Sequence, residues 1–186
     1  MHADIVRRKN EILSLFTQIK KYPAQGVFHH EMMTYAYILA NGAIEFMVET
    51  LLREWIEKMV AIHSRSKRYG GKIKVSNYLS ISSEISKTNI SSFHSASYER
   101  IVSLIDEIAG KIVRNKFKDL VKKSKVIEPD LDAKLKRIND FRGRIVHGES
   151  LPVFEQPNID ELKEDFGSVY KYIIKNLDTA LQKAKS

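Results

Sequence analysis

Between Val27 and His63 the chain contains no proline and repeats apolar side chains at Met33, Tyr37, Ala40, Ile44, Met47, Val48, Leu51, Leu52, Trp55, Met59 and Ile62. Separations of three, four and seven residues place them on one side of a helix that turns about 100° per residue. The stripe is broad in its middle, so the predicted helix has neighbours on more than one side and is the centre of its fold. Asn41-Gly42 within it marks a kink or a close helix approach, because glycine lacks a side chain and costs up to about 1 kcal/mol against alanine in a helix.

The flanking segments carry the same period. Ile5, Ile12, Leu15, Phe16 and Ile19 predict a first helix, ended by Pro23 and Gly26. Ser64–Ser76 holds five Lys or Arg and a Gly pair without a sustained period, and reads as an exposed basic loop. Asn77–Ala96 is rich in Ser and predicts short helical pieces. Ser97 predicts an N-cap for a helix from Tyr98 to about Leu120, with Ile101, Leu104, Ile105, Ile108, Ile112 and Val113 as its buried face. After Lys118–Val126 and Pro129, Leu131, Leu135, Ile138 and Ile145 predict a helix ending at Gly148. Leu151–Pro157 contains two of the four prolines and predicts a non-helical connection. Asn158 and Glu161 resemble a capping pair, and Leu162, Phe166, Val169, Tyr170, Ile173, Leu177 and Leu181 predict a long last helix. The expected fold is all-α: one helical domain over residues 1–186, a bundle of about five main helices plus short ones, with a loop-rich insertion at 64–97 and a connection at 151–157.

The chain has no cysteine, which rules out disulfides and thiolate metal sites and is compatible with a reducing compartment. No stretch approaches the roughly 18 uninterrupted apolar residues of a membrane span, and Met1–Asn10 is too polar for a signal peptide, so a cytoplasmic, non-membrane protein is expected. A formal charge of +8 suits a polyanionic partner, without choosing between RNA, DNA and a solvated surface.

The chemically informative words are RINDFRGRIVHGES, Arg137–Ser150. With Arg142 as reference, Leu131, Leu135, Ile138, Ile145 and Val146 lie within about 60° of it around the helix, so Arg142 interrupts the buried stripe. A guanidinium near an apolar face is costly unless an anion meets it. Either an acidic partner such as Glu45 or Asp140 neutralises it, or it faces a seam that a phosphate enters. His147 is about 140° further round an ideal helix. A left-handed termination at Gly148, or a two-fold dimer, brings imidazole and guanidinium to one point. Such a pair suits phosphodiester chemistry: histidine exchanges protons near neutral pH, and arginine offers a permanent planar fork to the nonbridging oxygens.

Arg142 and His147 with four residues between them, followed by Gly148, resemble the Arg-x4–6-His signature of the HEPN ribonucleases, and most closely the RiboL-PSP group. ILANGAIEFMVETLLREW, Ile38–Trp55, resembles the central helix of that group, with Glu45 at its acidic position. The resemblance implies an up-and-down helical core and a homodimer whose composite cleft cuts RNA without metal or other cofactor. In the implied reaction the ribose 2′-OH attacks the adjacent phosphorus and leaves a 2′,3′-cyclic phosphate. Arg142 and His147 are the implied catalytic pair, with Glu45, Gly143 and Arg144 in supporting positions. The family pattern usually has a polar residue, often Asn, after the Arg; here Gly143 stands there. A toxin or phage-defence role, tRNA or another structured RNA as substrate, and an antitoxin or defence-system protein as partner are all compatible with this resemblance.

Competing readings stay open. The alternative function is a non-catalytic helical dimerisation module that binds RNA or a partner protein; a nucleic-acid-binding regulator is a third. Glu45 has a second reading as a neutralising partner for an arginine, and Arg144, opposite the stripe, as a solvated cation. Lys67, Arg68, Lys72 and Lys74, with Tyr69 available to stack on a base, make either an RNA contact or a solvated loop. His29-His30 are neighbours rather than four apart, so they do not share a helix face as metal ligands, and no metal site is expected. His63 reads as a capping or surface group, and His94 lies in a Ser-rich loop.

Overall fold

The computed structural model describes residues 3–22, 27–65, 97–146 and 158–183. They form α1 (Ala3–Ile19), α2 (Val27–Arg65), α3 (Tyr98–Ile127), α4 (Leu131–Val146) and α5 (Ile159–Val169), which continues through a π-helical turn (Tyr170–Ile174) into α6 (Lys175–Lys183). No strand occurs among the described residues, so the expected all-α bundle is what the chain forms. The basic loop with Lys67, Arg68, Tyr69, Lys72 and Lys74, the pieces at 77–96, the 151–157 connection and His147 lie outside the described residues. None of the described helices is long and apolar enough to cross a membrane.

The central helix is where its stripe placed it: α2 packs against α1, α3, α4, α5, the π turn and α6. Ala36, Tyr37, Ala40, Ala43, Ile44, Met47, Val48, Leu51, Leu52, Trp55 and Ile56 are buried, a width that one neighbour could not cover. Phe16 of α1 meets Phe166 of α5 edge to face, with ring centroids 5.8 Å apart. Asn158 caps α5, its side chain accepting from the Glu161 N–H at 2.9 Å. One extra residue per turn through Tyr170–Ile174 re-phases the last helix, so that Tyr170, Tyr172, Ile173 and Ile174 are all buried.

Two expectations about helix breaks are corrected. α2 is helical through Asn41-Gly42, and a Cβ at Gly42 would meet nothing within 4 Å, so neither a kink nor a close approach uses this glycine. The break is at Gly110 in α3, where φ is 82° and ψ 172°. There, 19 residues of straight helix would hold Tyr98 and Phe117 about 28 Å apart, yet their ring centroids are 6.1 Å from one another. α3 is therefore a hairpin of two arms, 98–109 and 111–127, reversed at one glycine. Ser97 caps the first arm as expected, accepting from the Arg100 N–H at 3.3 Å. The second arm runs to Ile127 rather than Leu120.

The reversal also corrects the buried face. Ile101, Leu104 and Ile105 face the core in the first arm and Val113, Phe117 and Val121 in the second, whereas Ile112 is 80% exposed. A period drawn straight through Gly110 assigns Ile112 to the wrong side. The Gly110 dihedrals lie in a region open essentially only to glycine. A Cβ there would have space, with nothing within 4 Å, so the cost of Gly110→Ala is backbone strain alone. We expect it to lower unfolding stability by about 1–3 kcal/mol. Urea denaturation measures this, and an unchanged midpoint would show that the arms tolerate another connection.

Candidate active site

The last turns of α4 carry Arg142, Gly143 and Arg144. Leu131, Leu135 and Ile138, on the same side as Arg142, are at most 1% exposed, and Arg142 itself is partly buried. Arg142 thus stands on the same face of α4 as these core residues, in the last turns of the helix. Its direction depends on how α4 is held about its own axis, and three contacts on one flank fix that rotation. Phe141 lies against Tyr37 of α2, with ring centroids 4.8 Å apart. Arg137 makes two 2.8 Å hydrogen bonds to the Asp165 carboxylate of α5, and Glu161 is 3.6 Å away. Lys134 donates to Glu164 at 2.6 Å and lies 2.9 Å from Glu128.

These groups perturb one another as their geometry requires. The hydrogen bonds from Arg137 to Asp165 hold its guanidinium even more firmly protonated. Burial pushes the Lys134 ammonium down, but Glu164 and Glu128 together more than offset this and raise it. Burial, with the charges of Asp165 and Glu161, raises the Tyr37 phenol. Glu128 is lowered, first by its hydrogen bond from Lys134.

On α2, Asn41 is fully buried and its amide donates to Glu45 Oε1 at 2.8 Å. Asn41, Glu45 and Glu49 follow at intervals of four, forming one polar row on the central helix. Burial raises the Glu49 carboxyl; Arg53 opposes this and Glu45 adds to it. Glu45 is partly buried, eight residues beyond Tyr37. Tyr37 in turn touches Phe141, the residue before Arg142. Gly143 is helical, and a Cβ there would meet nothing within 4 Å. Arg144 lines a groove of about 290 Å³ on the opposite side of α4, with Ala133, Lys136, Arg137, Asp140 and Phe141. Among the described residues, no group of three or more His, Asp or Glu is placed to hold a metal ion.

Lys134, Arg137 and Asp165 were not singled out from the sequence. Asp165 had a readable signal, since it interrupts the apolar run Leu162, Phe166, Val169 of α5 as Arg142 interrupts that of α4. A charge inside a buried face asks for a partner, and Asp165, 1% exposed, has one in Arg137.

No characterised protein and no solved structure matches the chain significantly. The family model of RiboL-PSP-HEPN matches residues 3–183, a span that takes in every described helix together with Arg142 and His147, and the chain belongs to that family.

Proposed function

We propose that the protein is an endoribonuclease that acts as a homodimer and cuts RNA without a metal ion, with Arg142 and His147 as its catalytic pair. The observation that carries this reading is the position of Arg142. A permanent cation continues the buried line of a helix whose rotation is locked by Arg137, Lys134 and Phe141, five residues before a histidine, in a chain of the RiboL-PSP-HEPN family. A helix held so fixes where the Arg142 side chain leaves the backbone, which suits a group that must meet charge as it develops.

In the proposed reaction the 2′-oxygen forms a bond to phosphorus, the bond from phosphorus to the 5′-oxygen breaks, and a 2′,3′-cyclic phosphate and a 5′-hydroxyl result. The 2′-OH loses a proton and the leaving oxygen gains one. Imidazole is suited to this exchange at neutral pH, and a dimer supplies two copies. Arg142 would hold the nonbridging oxygens, whose charge grows as phosphorus becomes five-coordinate. Glu45, held by Asn41, and Arg144, on its groove, are the proposed supporting groups, and Lys67, Arg68, Tyr69, Lys72 and Lys74 a backbone contact. Unrestrained RNA cutting would arrest growth, so a toxin or phage-defence role kept in check by an antitoxin or other partner protein fits, with tRNA among the substrates to try.

A second reading, a non-catalytic module that dimerises and binds RNA or a protein, draws on Gly143, which leaves the position after Arg142 without a polar side chain. Incubating the purified protein with cellular RNA in excess EDTA separates the two. Fragments ending in 2′,3′-cyclic phosphate are expected. Intact RNA that is nonetheless bound would support the module, and cutting that needs added metal would refute the mechanism.

A further inference from the structure

We infer that the second arm of α3, residues 111–127, carries a lysine face that binds the phosphodiester backbone of RNA. The choice of RNA as occupant rests on the function proposed above; the face itself rests on charge and geometry. The arm holds Lys111, Arg114, Lys116, Lys118, Lys122, Lys123 and Lys125 against one acidic residue, Asp119. Arg114 is used internally, 2.7 Å from Asp106 of the first arm, and Lys125 pairs with Asp132 and lies over the Tyr98 ring. The other five lysines have no ion-pair partner among the described residues.

Three of the five form a line. At about 100° per residue, Lys111, Lys118 and Lys122 fall within about 40° of one another, and Lys122 is about 17 Å along the axis from Lys111. All three are exposed, and so is Asn115, which lies in the same row. The face about 120° away, Val113, Phe117 and Val121, is buried, which holds the arm so that the lysine row stays outside. Cations four apart on one helix face repel each other, and only Asp119, three residues before Lys122, offsets this from the edge of the row. A flexible polyanion does so along the whole line. A duplex alone carries one charge per about 1.7 Å, so a row of this length meets several phosphates at once. Val126, 83% exposed and one turn beyond Lys122, lies beside the row and offers apolar surface to sugars and base edges. The arm ends four residues before α4 begins, and Arg142 lies about 16 Å further along that helix.

The test compares the unsubstituted chain with K111Q/K118Q/K122Q, each also carrying His147→Ala for the binding measurements so that RNA is not consumed. The probe is a labelled 20-nucleotide poly(U), titrated between about 50 and 200 mM salt, the range over which counterion release dominates affinity. The slope of log K against log salt is expected to shrink by about 2 in the triple variant, at roughly 0.7 for each phosphate that is no longer neutralised. Lys21→Gln/Lys163→Gln is expected to leave it unchanged. With His147 intact, the triple variant should keep the parent's kcat/KM on a dinucleotide and lose at least tenfold on the 20-mer. An unchanged slope, or an equal change in the Lys21/Lys163 control, overturns the lysine face even if the parent cuts RNA. A reduced slope in a protein that never cuts RNA supports the face and sinks the ribonuclease. No RNA binding by the parent at the lowest salt overturns both, leaving an acidic protein as the candidate occupant.

Discussion

Alanine at either Arg142 or His147 is expected to reduce RNA cleavage by about 100-fold or more, with the fold and the dimer retained. Proton transfer by a positioned side chain typically contributes 10²–10⁴-fold, and a fixed cation or donor at a developing oxyanion about 10²–10³-fold. The two act on one transition state, so the double variant should be little worse than the poorer single one. Arg142→Lys keeps the charge but not the planar fork, and should fall between parent and alanine. Initial rates on one RNA, with far-UV circular dichroism and sedimentation as controls for structure, measure this. Variants that cut as fast as the parent would remove the catalytic assignment. In a growth assay the parent should slow its host and both alanine variants should relieve it; equal toxicity from all three would point to another mode of action.

The largest stability effect is expected at Arg137, which holds the carboxylate of Asp165 with two 2.8 Å hydrogen bonds. Asp165 is 1% exposed, so removing the guanidinium strands a charge away from water. Breaking a buried pair from one side typically costs 3–5 kcal/mol, and because Arg137 is itself partly exposed we expect Arg137→Ala to cost about 3 kcal/mol. Replacing both residues by leucine should restore most of the stability, since a well-packed apolar pair is often no worse than a buried ion pair. Urea midpoints of the single and double variants test both points. An Arg137→Ala protein as stable as the parent would mean that water reaches Asp165. Because the pair also fixes the rotation of α4, the same variant should cut RNA more slowly even under conditions where it is folded.

The helices were legible because their signals are local. The α2 stripe, the Ser97 and Asn158 caps and the Leu131–Ile138 repeat each follow from spacing along a few turns, and each element is present. The reversal at Gly110 was not legible, because the period of Ile101, Leu104, Ile105 and Ile108 continues by chance to Ile112. A single glycine inside such a pattern gives no sign of whether its φ is positive. Gly42, equally isolated, is an ordinary helical residue. On α4, the interruption at Arg142 was visible as a charge within an apolar line. The partners that orient the helix were not, because Asp165 and Glu164 come from a segment more than 20 residues away. A one-dimensional period identifies which residue is misplaced and leaves open which distant side chain answers it.

Because the turn between the arms of α3 is a single residue, there is no slack in which to hide a change of length. Adding one residue beside Gly110 would rotate everything after it by about 100°, carrying lysines toward the position of Phe117 and Phe117 toward solvent. Only additions near whole turns, three or four residues at a time, would return the side chains to their places. Kin of this chain that keep the hairpin should therefore diverge there by substitution, and their gaps should accumulate elsewhere.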